Sequence, residues 1–255
     1  MERLIYHGYE YRILRANDDT LLKLSTIPEE SWQRFVEKDL PNANTPLSFR
    51  KVNANDIEMF GKCQSPFVKY RTVITLPFLP KYKTLSDTIF PSTYTTKDIL
   101  KICRNNLQIL KQIHEKDVCH CDIIPSNIMI NKADEIEFID FDACIIDDYI
   151  SEENTIGRIE EDKKQIFAEA VMEDKEALFS LYLNYLANGT FSDNPTIDYK
   201  KLCFNQATKR IFQNTLAKDS IPRDYYYDDL IEHLASTGYE SPIVYSKNIT
   251  SKYGF

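Results

Sequence analysis

Two side chains that can offer oxygen ligands, Asp122 and Asn127, stand five positions apart in the stretch HCDIIPSNIMIN (120–131). His120 lies just ahead of them, flanked by Cys119 and Cys121. Three readings compete. A tetrahedral zinc site takes its ligands from spaced pairs, because adjacent side chains diverge. Here Cys119, His120 and Cys121 are consecutive, and no CxxC pair exists among the six cysteines. A plain turn between a helix and a hairpin also uses Asn and Ser. The third reading adds Asp140, 18 positions after Asp122 and 13 after Asn127. NIMIN, the turn KADE and IEFID between them read as a tight hairpin, which returns the chain to its start and can bring Asn127 beside Asp140. Hard magnesium prefers such oxygen ligands and leaves its remaining positions to water and phosphate. One carboxylate to accept a hydroxyl proton, with an Asn and an Asp to hold metal, is the set that phosphoryl transfer requires.

The elements that must position these residues begin with strands. Between residues 3 and 25, LIYHG, YRILRAN and TLLKLS are short apolar runs, with NDD (17–19) as a turn signal, and predict an antiparallel meander. EESWQRFVEKDL (29–40) repeats Trp32, Phe35, Val36 and Leu40 at helical spacing, with Glu29 and Glu30 in the first turn and Pro41 as its stop. Further strand-like runs, FVKY and RTVITLPFL, lie within 45–79. PFLPKYKT (77–84) predicts a stiff hinge, since two prolines three apart prevent a regular helix. Beyond it a helix is expected over 95–116, capped by Thr95 and Asp98, with Leu100, Cys103, Leu107, Leu110 and Ile113 as its apolar stripe. A single strand is expected over 135–146 and a mobile acidic surface segment over 147–173. A buried helix over 174–189, closed by Gly189, and two or three more helices over 198–236 complete the chain. Strands, hinge, then helices predict an α+β fold of two lobes, residues 1–80 and 81–255.

Composition narrows the class. The net charge is −8, with no Lys/Arg block to neutralise a phosphate backbone, so nucleic acid is not expected as a partner. Hydrophobic residues at 43% and charged ones at 27% fit an ordinary globular protein. MERLIYHGYEYR lacks the apolar core of a signal peptide, and no run approaches the roughly 18 apolar residues of a membrane span. The cysteines then read as free thiols of a reducing compartment, and a cytoplasmic protein with no membrane span is expected.

In order and spacing these motifs resemble the protein-kinase superfamily. HCDIIPSN is similar to its catalytic loop, with His120, Asp122 and Asn127 on the fixed positions. IDFD resembles its metal-binding Asp-Phe-Gly element, with Asp140, Phe141 and, where glycine is usual, Asp142. LQILKQIHEKDV resembles the helix that leads into the loop. DKEALFSLYLNYLANG resembles the buried helix after the activation segment, whose Asp174 anchors the loop backbone. The resemblance implies a bilobal protein-kinase-like fold, a small antiparallel β lobe above a mainly helical one. It implies ATP and Mg2+ as cofactors, Asp122 as catalytic base, Asn127 and Asp140 as magnesium ligands, and His120 tying the loop to the metal element. It also implies that Lys23 of TLLKLS reaches the α/β phosphates, paired with Glu37 of the first helix. At the hinge it sets the Pro77 carbonyl and the Leu79 N–H toward adenine; proline keeps its carbonyl although it lacks an N–H.

The chain also departs from the pattern. The glycine-rich loop is reduced to HGYEY, with Gly8 alone between the first two runs and Tyr9 and Tyr11 beside it. Ile124 stands where Ser/Thr kinases carry a phosphate-directed Lys, and AEAVME (168–173) is a poor match to their APE element. The expected function is an ATP- and magnesium-dependent phosphotransferase acting on Ser/Thr of a protein, in a minimal form similar to bacterial or viral effector kinases. The alternatives are a small-molecule kinase of aminoglycoside or choline type, whose loop keeps the same Asp and Asn, and a pseudokinase acting as a binding module. Residues 81–95 leave little room for the helical insert of small-molecule kinases, which favours a protein acceptor.

Overall fold

The short apolar runs at the start of the chain pair as strands β1 (Arg3–His7), β2 (Arg12–Arg15) and β3 (Thr20–Ser25). With β4 (Ser48–Lys51) and β5 (Thr72–Pro77) they form one antiparallel sheet in the order β1-β2-β3-β5-β4. The structure, a computed structural model, describes residues 3–7, 12–60, 69–147, 149–150, 163–188 and 190–191. Residues 8–11 of the HGYEY loop, the cysteines at 63 and 203, Gly189 and the helices expected over 198–236 lie outside these residues. Strand β3 is central and pairs with β5 from Thr20↔Pro77 to Ser25↔Thr72. Lys23, across from Ile13 and Ile74, is therefore a buried lysine in mid-sheet, which needs a charge partner.

Helix α1 (Glu29–Glu37) packs Trp32 and Phe35 into the core. It stops before the expected Leu40, because the chain leaves through Asp39 at φ 50°, a left-handed turn that Asp tolerates well. A second difference is α2 (Ala54–Phe60), in a region read as strands. Its start is a reciprocal cap. The Asn53 side chain accepts the N–H groups of Asn55 and Asp56, and the Asp56 carboxylate accepts the Asn53 N–H at 2.8 Å. Of FVKY, Lys69 and Tyr70 are described, and they lie outside any strand.

Helix α3 (Thr96–His114) carries the expected capping box, with Thr95 and Asp98 each accepting the other's backbone N–H. Its stripe Leu100, Cys103, Leu107, Leu110 and Ile113 is buried. The expected hinge ends in a short strand, β6 (Tyr82–Thr84), and β7 (Val118–Cys119), β8 (Ile128–Asn131), β9 (Ile136–Phe138), β10 (Ile145–Ile146) and β11 (Tyr149–Ile150) come later in the chain. The expected strand over 135–146 is two strands in two sheets, β6-β8-β9 and β11-β10-β7. Asp140 breaks it at φ 64°, and a 3-10 turn over Phe141–Ala143 follows.

The last helix among the described residues, α4 (Lys163–Asn188), begins well before the expected residue 174. Residues 163–173, read as mobile surface, are thus helical, and Ile166 and Ala170 pack against Cys119 and Ile145. The early start escapes a sequence reading because KKQIFAEAVMED follows an acidic stretch without an apolar pattern and has charged residues at both of its ends. One contiguous core runs from Ile27, Trp32 and Phe35 through Ile128, Phe138 and Phe141 to Leu178 and Tyr182. Burying each large side chain of that kind contributes about 1.5–3 kcal/mol. The fold is mixed α+β, with a small antiparallel sheet and, among the described residues, four helices. The described Cys103, Cys119, Cys121 and Cys144 are free thiols, and no helix among these residues is long and apolar enough to cross a membrane.

Candidate active site

The loop 120–127 is held from below by one buried carboxylate. Asp174 of α4 accepts the backbone N–H groups of His120 at 2.7 Å and Cys121 at 2.8 Å, and it meets His114 Nε2 at 2.9 Å. Cys121 sits at φ 64°, a costly conformation for a residue with a Cβ, and the Asp174 bond to its N–H holds it there. His114, Cys119 and Asp174 form a group that could meet a metal ion. Asp174 already spends both oxygens on N–H donors, and burial pushes the Cys119 thiol well up, away from the thiolate a metal would need.

His120 joins this loop to the segment after β9. Its Nε2 lies 2.8 Å from the Ile139 carbonyl, which only accepts, so Nε2 carries the proton; Nδ1 then accepts the Asp122 N–H at 3.3 Å. The Phe141 ring lies 4.5 Å from His120 and 4.8 Å from Phe35 of α1. Loop, post-β9 turn and α1 are thereby packed into one unit.

The residues singled out by spacing meet here. Asn127, buried at the end of the 3-10 turn Pro125–Asn127, donates Nδ2 to the Asp122 carboxylate at 2.7 Å and to its carbonyl at 3.0 Å. Its backbone carbonyl accepts the Ile139 N–H at 3.0 Å, which brings Asn127 alongside the segment that carries Asp140. With Nδ2 committed to Asp122, Asn127 has Oδ1 to offer a cation. Lys23 crosses from the five-stranded sheet to pair with Asp140 Oδ1, and its Nζ lies 2.7 Å from Asp142 Oδ2. Lys23, Asp122, Asn127 and Asp140 thus come from three separate stretches of the chain to one place.

Electrostatics sets their protonation. Burial alone would lower the Lys23 pKa, but Asp140 and Asp142 together raise it above its ordinary value, so it stays charged. Burial pushes Asp140 up, and Lys23 more than reverses that, leaving its carboxyl below the usual range. Asp142 is held above the usual range by burial and by Asp140, which Lys23 and Ser25 only partly offset. Asp122 is likewise raised, by burial first and by Asp140 next. Two carboxylates sharing one ammonium leave surplus negative charge in a dry place.

The expected Lys23–Glu37 pair is not formed. Glu37 is exposed at the end of α1, where its carboxylate accepts from Gln33 Nε2 at 2.6 Å. Two positions after the buried Phe35 is about 200° round a helix, which turns Glu37 away from the sheet. Asp142 supplies the second carboxylate to Lys23 instead. The sequence reading places Asp142 in an expected strand and marks it only as standing where glycine is usual; the signal in IDFD is two acids two residues apart, which need a cation when buried. At the hinge, Pro77 ends β5 and its carbonyl lies 3.5 Å from Asn44 Nδ2, while the Leu79 carbonyl accepts the Tyr82 N–H at 3.1 Å.

No protein-family model matches the chain. A stretch of 52 residues, 20% of the chain, is 36% identical to the probable serine/threonine-protein kinase mkcD of Dictyostelium discoideum. The chain spans 8% of that protein's length.

Proposed function

We propose that this protein is an ATP- and magnesium-dependent phosphotransferase with a kinase-like, two-lobed architecture, residues 1–80 over residues 81–255, most simply acting on Ser/Thr of a protein. The observation that carries this reading is the convergence of Lys23, Asp122, Asn127 and Asp140. The partial likeness to a probable serine/threonine-protein kinase supports it.

The donor set fits magnesium. Asp140, Asn127 Oδ1 and the neighbouring carboxylates are hard oxygen ligands, and the centre carries more negative charge than Lys23 neutralises. Asp142 Oδ2 is already met by Lys23 Nζ at 2.7 Å and Oδ1 by the Ser25 hydroxyl, so Asp142 serves the lysine and not the ion. Asn127 and Asp140 would hold the ion, which when bound draws negative charge off the phosphates. The protein's own residues do the rest. Lys23 would hold the α/β phosphates. Asp122, oriented by Asn127 and raised in pKa, accepts the proton of the acceptor hydroxyl. His120 fixes the loop through Ile139. The hinge carbonyl of Pro77 and N–H of Leu79 would be the contacts for adenine. Free thiols at the described cysteines fit a reducing cytoplasm.

Radiolabelled ATP in a cell lysate, with wild type beside Asp122→Ala, tests this reading. A labelled protein band with wild type alone is expected, with the variant down about 10²–10⁴-fold. Equal labelling by the variant removes Asp122 from the mechanism. A labelled small solute would move the acceptor to the small-molecule class, the reading that Ile124 in place of a phosphate-directed Lys favours. No Mg-ATP thermal shift at all would leave a binding module.

A further inference from the structure

We infer that Asp142 is the residue that positions Lys23 for the nucleotide, so that the carboxylate partner of this lysine belongs to the metal-binding turn and not to helix α1. The inference deepens the phosphotransferase reading and rests on it. Asp142 is 6% exposed, and its two oxygens have separate duties. Oδ2 lies 2.7 Å from Lys23 Nζ, and Oδ1 accepts the Ser25 hydroxyl at 2.6 Å. Ser25, two residues beyond Lys23 on β3, is itself fixed: its Oγ accepts the Trp32 indole N–H and the Ile27 backbone N–H, each at 3.1 Å. An oxygen that accepts two N–H groups turns its proton outward, toward Asp142. The chain Trp32–Ser25–Asp142–Lys23 therefore ties the lysine to α1 through an indole, without any acid on that helix.

The arrangement solves a competition. Asp140 is paired with Lys23 and is also needed for the cation. A lysine held by Asp140 alone would lose its partner whenever metal takes that carboxylate. With Asp142 as second partner, Lys23 keeps one ion pair while Asp140 serves the metal. Asp142 also sits next to Phe141, whose ring is clamped between His120 and Phe35, so the lysine and the metal ligand are set by the same short turn. A glycine at position 142 would leave Lys23 without that carboxylate and Ser25 without its acceptor.

The test is a double-mutant cycle on the full chain, reading the Kd for ATP by calorimetry with and without magnesium. Asp142→Asn keeps the size of the side chain and an acceptor for Ser25. It is expected to weaken ATP binding about tenfold in the wild-type background and by less than twofold in a Lys23→Ala background, because a positioning residue has nothing left to act on. Equal weakening in both backgrounds, or none in the wild-type one, overturns the inference. Wild-type protein that binds no ATP overturns the phosphotransferase reading itself, a separate result. Ser25→Ala, which leaves the carboxylate in place, guards against a folding defect: a weakening of two- to fivefold that again vanishes without Lys23 supports the chain, and no effect on ATP at all counts against it.

Discussion

Two carboxylate centres border the same loop, one at buried Asp174 and one at half-buried Asp140 with buried Asp142, and they are built in opposite ways. At Asp174 every contact is a donor: two backbone N–H groups and the His114 ring, all within 2.9 Å. At Asp140 and Asp142 two acids share one lysine. The first centre is saturated and holds backbone. The second is open by its charge, with two acids to one ammonium. A saturated buried carboxylate has nothing left to bind with, whereas an unsaturated one is stable only if something else arrives to share its charge. The comparison separates scaffold from site without reference to any relative.

The largest effect should come from breaking the saturated centre. Asp174→Ala strands two buried N–H groups and the His114 ring, and should cost about 3–5 kcal/mol in urea unfolding. A cost below about 1 kcal/mol would show that Asp174 is not the anchor of the loop. At the open centre the same kind of change should be mild for the fold and severe for the ligand. Asp140→Asn leaves Lys23 paired with Asp142, so unfolding should shift by less than about 1 kcal/mol. The rise in Tm expected of the wild type with Mg-ATP should be lost. If Asp140→Asn destabilises as much as Asp174→Ala, the two centres do not differ in kind. The smallest effect is expected at a wetter pair. Arg50 makes two 2.6 Å bonds to Asp56, but its side chain is 52% exposed, so Arg50→Ala should cost less than about 1 kcal/mol. Its pH dependence gives a sign to check. Arg50 holds the Asp56 carboxyl below its ordinary value, so the stabilisation is present above the unfolded pKa and lost as pH falls through the folded one. Wild type and variant should therefore converge in stability on acidification; a gap that widens there would assign the effect to something other than this pair.

Much of the site could be read from residue spacing. Asp122, Asn127 and Asp140 stand at fixed intervals set by a short loop and a tight hairpin, and local geometry leaves such a segment few ways to fold. The Thr95–Asp98 cap was equally legible, because a capping box is a contact between residues three apart. Two features were present in the sequence and missed. The reciprocal Asn53–Asp56 cap announces α2 within a region of strand-like runs. The apolar spacing of Trp32 and Phe35 already places Glu37 on the far face of α1. Asp140 as a strand breaker was harder to see, since nothing in IEFIDFDACII marks a left-handed residue except its being an Asp.

The sequence by itself determined which residues could do chemistry and how far apart they lie along the chain, because turns, caps and amphipathic stripes depend on near neighbours. Only the tertiary structure decided which acid meets Lys23. That choice depends on how α1 packs on the sheet, and the burial of Trp32 and Phe35 turns the helix so that its indole meets Ser25 and its acid meets water. A partner 119 residues away in sequence, Asp142, then takes the place next to the lysine. A buried ammonium takes whichever carboxylate packing brings within reach, and sequence distance has no bearing on that.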